Sequence, residues 1–188
     1  MSPLPPLGFF AKPAAAVGDF ESIATVSVGS GGAATITFSS IPSTYAHLQV
    51  RAIIRGETTL SRPALRLNND SGTNYVVHGL YGTGSSVGAY ADLNMTYIDT
   101  TVVSQSSDTA SVYGVVIVDI LDYANTNKNT TVRCLGGYDA NGSGYASLHS
   151  GLWRNTAAVD RLDFVAGSVS SGDFNQYTTF ALYGIRSA

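Results

Sequence analysis

The chain is predicted to be all-β, an antiparallel jelly-roll-like β-sandwich behind an extended Pro-rich N-terminal arm. Three observations carry that expectation. From Asp19 onward apolar and polar residues alternate with period two, the signature of half-buried strands. No long window holds a 3.6-residue apolar period with helix caps. Clusters of Gly, Asn, Asp and Ser punctuate the chain between short strand-like runs, as in all-β sandwiches.

Residues 1–17 stand apart as a docking arm, with 18–188 as the sandwich. The arm holds Pro3, Pro5, Pro6 and Pro13, four of the six prolines, and these fix φ and withhold N–H donors, so the stretch reads as extended. Its apolar side chains Leu4, Leu7, Phe9 and Phe10 would together return about 6–12 kcal/mol on burial. Ordering each residue costs about 1–2 kcal/mol. Side-chain burial alone therefore does not hold the arm, and backbone pairing with a neighbouring sheet edge or groove is needed as well.

The strands follow in order. Ala24, Val26 and Val28 alternate with Ile23, Thr25 and Ser27, and Ala34, Ile36 and Phe38 alternate with Thr35 and Thr37. With Gly29-Ser30-Gly31-Gly32 between them, these runs predict a β-hairpin. Leu48, Val50, Ala52 and Ile54 share one face, while His47, Gln49, Arg51 and Arg55 largely share the other. Leu65 and Leu67 interleave with Arg66 and Asn68. Val112 to Leu121 is an apolar run of strand length, too β-branched to prefer helix. Further strands are expected at about 130–138, 145–154, 160–167 and 178–186, roughly ten in all. Gly82 to Ala110 reads as a long excursion with one strand near Asp92–Tyr97.

Composition excludes several classes. The 188 residues carry a formal charge of −3, and 12% are charged, about half the usual share. Ser (22), Thr (18) and Gly (20) take the place of the missing charge, and only Lys12 and Lys128 are lysines. A near-neutral balance leaves no electrostatic footprint for nucleic acid. No apolar run reaches the roughly 20 residues of a membrane helix, and no basic segment followed by an apolar one predicts a signal peptide. Cys134 is alone, so no internal disulfide forms, and no Cys/His spacing resembles a zinc site. No cofactor is expected.

Candidate chemistry is thin. Ser150, His149 and an aspartate form a triad only on paper, since no G-x-S-x-G elbow accompanies them; Gly82-Thr83-Gly84-Ser85-Ser86 has its serine displaced. Gly29–Gly32 joins strands and lacks the helix start of a phosphate cradle. Asp139-Ala140-Asn141-Gly142-Ser143-Gly144 has the alternation of a calcium loop without its closing glutamate. His47 falls on the polar phase of a strand and reads as a surface residue. Asp160 and Asp163 flank Arg161 and read as an ordinary solvated ion pair. Eleven tyrosines remain, many beside Gly, Asn or Ser near strand ends. Their apolar bodies and polar tips suit interfaces and sugar stacking, and equally suit capping a sandwich. Tyr81, Tyr90, Tyr97, Tyr138 and Tyr145 are the candidates for interface or glycan contact.

Five segments carry a resemblance: Phe20–Val26, Ile36–Tyr45, Leu65–Tyr75, Gly151–Val159 and Thr179–Ile185. In this order they resemble a family of tailed-bacteriophage virion proteins, met as capsid decoration or head-fibre proteins and as tail-fibre modules. The resemblance spans 20–185 and not the arm. It implies a β-sandwich, commonly a homotrimer, that is not an enzyme. The expected role is therefore a structural protein of the virion. With no stalk before the sandwich, a decoration or cement protein seated on capsid subunits is favoured; a tail-fibre or receptor-binding module recognising a host glycan or protein is the alternative. A surface of Ser, Thr, Gly and Tyr costs little desolvation when packed against copies of itself or a shell.

Overall fold

A computed structural model describes residues 18–57, 62–167 and 172–186. The arm, with Leu4, Leu7, Phe9 and Phe10, lies outside the described residues.

Twelve strands run through the described residues: β1 Phe20–Ser27, β2 Thr35–Phe38, β3 His47–Ile54, β4 Ala64–Leu67, β5 Tyr75–Gly82, β6 Val87–Met95, β7 Ile98–Asp99, β8 Gly114–Leu121, β9 Thr130–Asp139, β10 Gly144–Trp153, β11 Leu162–Val165 and β12 Thr179–Ile185. They form an eight-stranded sheet, ordered β1-β12-β3-β8-β9-β10-β5-β6, and a four-stranded one, β2-β11-β4-β7. Every pairing between these strands is antiparallel, which makes the all-β sandwich expected from the period-two pattern.

The two sheets enclose one core. Leu48, Val50 and Ile54 of β3, Val116, Val118 and Ile120 of β8, and Phe180 and Leu182 of β12 face Ile36, Leu65, Leu67, Leu162 and Phe164 of the small sheet. Phe180 packs between Phe164 and Phe174, with ring centroids at 4.8 and 5.2 Å. Ile98 of β7 lies on Gly151 of β10, where any Cβ would sit 2.6 Å from the Ile98 Cγ2. Cys134 is buried and free, and burial pushes its thiol pKa up.

Several expectations need correction. β1 and β2 do not form a hairpin: β1 pairs with β12 and β2 with β11, so Gly29–Gly32 carries the chain from one sheet to the other. Gly32 closes this turn through its N–H to the Gly29 carbonyl at a φ of 72°. The stretch from Gly82 to Ala110 is more regular than expected: β6 begins at Val87, and β7 follows it. Arg55 does not face solvent but is 8% exposed, its guanidinium donating to the carbonyls of Asp108, Thr109 and Val112. Asp163 is not solvated either. It is 2% exposed and accepts from Thr37 Oγ1 and, bidentate, from Arg161.

Candidate functional site

Antiparallel register gives the large sheet two distinct ends. At the base, β1, β3, β5 and β9 begin and their neighbours finish; at the rim the reverse holds.

The base is built for stability. Asp70, in the turn before β5, accepts from the Trp153 indole N–H (2.7 Å), the Asn74 carboxamide (2.9 Å) and the Gly72 N–H (2.8 Å). Burial raises its pKa, but those three donors outweigh burial and leave the carboxyl below its ordinary value. The Tyr75 hydroxyl bonds Leu67 and the Asp70 carbonyl, and burial pushes it up to about 12. The Tyr123 hydroxyl donates to the Pro42 carbonyl. Tyr45 lies flat on Gly184 and donates to Glu21. Glu21 sits below its ordinary value, through Arg186 first and Tyr45 second. His47 is half-exposed beside Asp122 at 3.3 Å, in keeping with a surface reading. Phe20–Val26, Ile36–Tyr45, Leu65–Tyr75, Gly151–Val159 and Thr179–Ile185 all reach this base.

The outer face of the large sheet is uncovered among the described residues. Register aligns Ile117, Leu135, Leu148, Leu80 and Ala89 in a row across β8, β9, β10, β5 and β6. Beside it toward the rim runs Ile53, Val115, Gly137, Ala146, Gly82 and Val87. At about 4.8 Å per strand the stripe is about 24 Å long. Leu80 and Leu135 are 58% exposed and Val87 is 90% exposed. The next row toward the base turns polar, with Gln49, Asp119, Arg133, Ser150 and His78, and Asp119 holds both Gln49 and Arg133. A contiguous apolar band edged by polar residues is what marks an interaction face. The outer phase of these strands is not set apart by the sequence pattern. The signal for the outer one was the uninterrupted Val115-Val116-Ile117-Val118, which leaves both faces apolar.

Four of the five candidate tyrosines come together, and Tyr97 does not. Tyr81, Tyr90, Tyr138 and Tyr145 project from the inner face of the large sheet, toward the rim and around the outer strands. Tyr81 stacks on Tyr145 at 5.3 Å, Tyr145 is the register partner of Tyr138, and Tyr90 meets the His149 ring edge-on at 5.8 Å. Glycines seat two of the rings: Tyr90 lies on Gly79 and Tyr81 on Gly88, in each case its direct cross-strand partner. All four are half-buried, and burial raises the pKa of Tyr90, Tyr138 and Tyr145. Tyr97 is half-buried in the β6–β7 turn at the base.

The remaining polar motifs are structural. His149 is 1% exposed and its Nδ1 meets the Asp99 carbonyl at 2.9 Å, while Ser150 points to the opposite face, as consecutive strand residues must. The two do not form a nucleophile–base pair. Asn141 (φ 59°) and Gly142 (φ 111°) make the tight β9–β10 turn closed by Ala140 N–H to the Ser143 carbonyl. Gly82–Ser86 turns β5 into β6. No group of three or more His, Cys, Asp or Glu that could hold a metal ion occurs among the described residues. Comparison of the chain with protein-family models, curated proteins and solved structures finds no match in any of the three.

Proposed function

We propose that the chain is a non-enzymatic structural protein of a bacteriophage virion: a capsid decoration or cement protein that docks on the shell through residues 1–17 and packs against copies of itself. The observation that carries this reading is the apolar stripe across the outer face, set in a surface with few charges. The ordered resemblance of five segments supports the virion context.

Energetics favour a tethered arrangement. Covering Ile53, Val115, Ile117, Leu80, Leu135, Leu148 and Val87, each already partly covered, returns about 5–10 kcal/mol. Association costs about 4–15 kcal/mol. The stripe alone therefore gives weak pairing in dilute solution. Copies held side by side by their arms gain the effective concentration that makes such a face count. The resemblance to virion proteins, commonly homotrimers, makes a homotrimer the closed form we propose for this packing.

Copy number on purified particles tests the reading. Decoration requires hundreds of copies per virion, and a few tens or fewer would end it. Deleting 1–17 should abolish particle binding and leave the sandwich folded; unchanged occupancy refutes the anchoring role. The double substitution Leu135→Lys and Leu148→Lys should lower occupancy with little change in melting temperature, because both side chains are exposed.

A further inference from the structure

A second feature, independent of the apolar stripe and of where the protein sits on a virion, lies at the rim. Between the β1–β2 turn, the end of β3, the segment before β8 and the segment before β12 is an open cleft of about 580 Å³. Its walls include Arg55, Glu57, Tyr113, Asn175, Gln176 and Tyr177.

The backbone around it is unusual. Gly32, Ser111 and Tyr177 all line the cleft, and all have left-handed φ, at 72°, 64° and 69°. Glycine accepts that geometry freely, but for a bulky residue it is an outlier, and strain of this kind gathers at functional sites. Tyr177 is the third residue of a turn closed by Thr178 N–H to the Asn175 carbonyl, a position that favours Gly or Asn. Its side chain is 71% exposed. The fold thus holds an aromatic ring in water at the cleft mouth, in a conformation that a smaller residue would adopt with less strain.

The rest of the cleft is polar and electrically quiet. The Arg55 guanidinium is bonded to three backbone carbonyls of the 108–112 segment, which fixes the wall bearing Tyr113. The Glu57 carboxylate accepts the Asp173 N–H at 3.3 Å. The Tyr113 hydroxyl donates to the Gln176 carbonyl at 2.7 Å and ties two walls together. The Asn175 Oδ1 is buried without a hydrogen-bond partner, an acceptor that a donor would relieve. Aromatic surface beside carboxamides and hydroxyls, with Arg55, the cation of the described lining, held by backbone carbonyls, selects a neutral polyhydroxylated ligand over a phosphate or an anionic chain.

We propose that this cleft is a binding site for a neutral saccharide, with Tyr177 stacking on a sugar face and Asn175 and Gln176 bonding its hydroxyls. The site uses none of the five tyrosines singled out in the sequence.

The test is a glycan array of neutral and acidic glycans probed with the full chain. Array hits are then titrated by saturation-transfer NMR, with inorganic phosphate as the charged control. At least one neutral glycan should bind, and Tyr177→Asn should weaken it about tenfold or more, the loss expected for removing a central aromatic contact. The same variant should melt no lower than the parent, because Asn suits the left-handed turn. Leu135→Lys, on the outer face, should bind as the parent does. Absence of any neutral glycan hit, retention of only acidic hits, or undiminished binding by Tyr177→Asn overturns the assignment.

Discussion

Replacing Asp70 with alanine removes one carboxylate that serves three donors, and its cost follows from what each donor has left. The Trp153 indole is fully buried, so its N–H, now 2.7 Å from the carboxylate, loses its acceptor and finds no water. A buried donor left unpaired costs about 1–3 kcal/mol. Asn74 and Gly72 are not buried and rehydrate, adding about 1 kcal/mol between them. The sum is about 2–4 kcal/mol. For a chain of this length each kcal/mol moves the midpoint by about 2–4 °C, which puts the shift near 5–15 °C. Because the folded carboxyl sits below its ordinary value, its contribution is complete above the unfolded pKa, near 3.9, and is lost as pH falls through the folded value. Urea unfolding of parent and Asp70→Ala at pH 7, 4 and 3 should therefore show a gap that narrows on acidification. A loss under about 1 kcal/mol at pH 7, or a gap that widens toward pH 3, would refute the view that this carboxylate pins the base of the sandwich.

Two further predictions concern packing. Gly151→Ala places a methyl 2.6 Å from the fully buried, β-branched Ile98 and should destabilise by about 1–3 kcal/mol in thermal or urea unfolding, whereas Gly29→Ala, with nothing within 4 Å, should be neutral. Cys134, buried with its thiol pushed up, should resist a disulfide-exchange reagent at pH 8 and react at the rate of global unfolding; rapid labelling of the native protein would contradict its place in the core.

Strand periodicity was legible because one face of each strand is core. Leu48, Val50, Ala52 and Ile54 alternate cleanly, and all four are buried. Pairing was not legible. β1 and β2 are separated by a glycine-rich turn that looks like any hairpin turn, yet their partners lie more than 120 residues onward, and local pattern holds no record of distance. Arg55 and Asp163 were misplaced for one reason: a charge on the polar phase of a strand reads as solvent-facing until the carbonyls or guanidinium that satisfy it are known. The tyrosines show the same limit. Tyrosines stand at both ends of the large sheet, at the base as framework and at the rim beside clefts, and residue type does not separate the two. Tyr177 gave a faint signal, standing in Asn175-Gln176-Tyr177-Thr178 where a turn would ordinarily place glycine.

The pairing of the first strand with the last also governs how the chain reaches this state. During synthesis β1 has no partner until β12 emerges, and β2 none until β11 does. Among the described residues only β5–β6 and β8–β9–β10 close locally, so pairing of low sequence separation is confined to the middle of the chain, and β1 and β2 pair only after its end emerges. Until then two alternating strands and an apolar sheet face are open together, which makes the newborn chain prone to sticking to its neighbours. A surface poor in lysine offers little charge repulsion against that encounter.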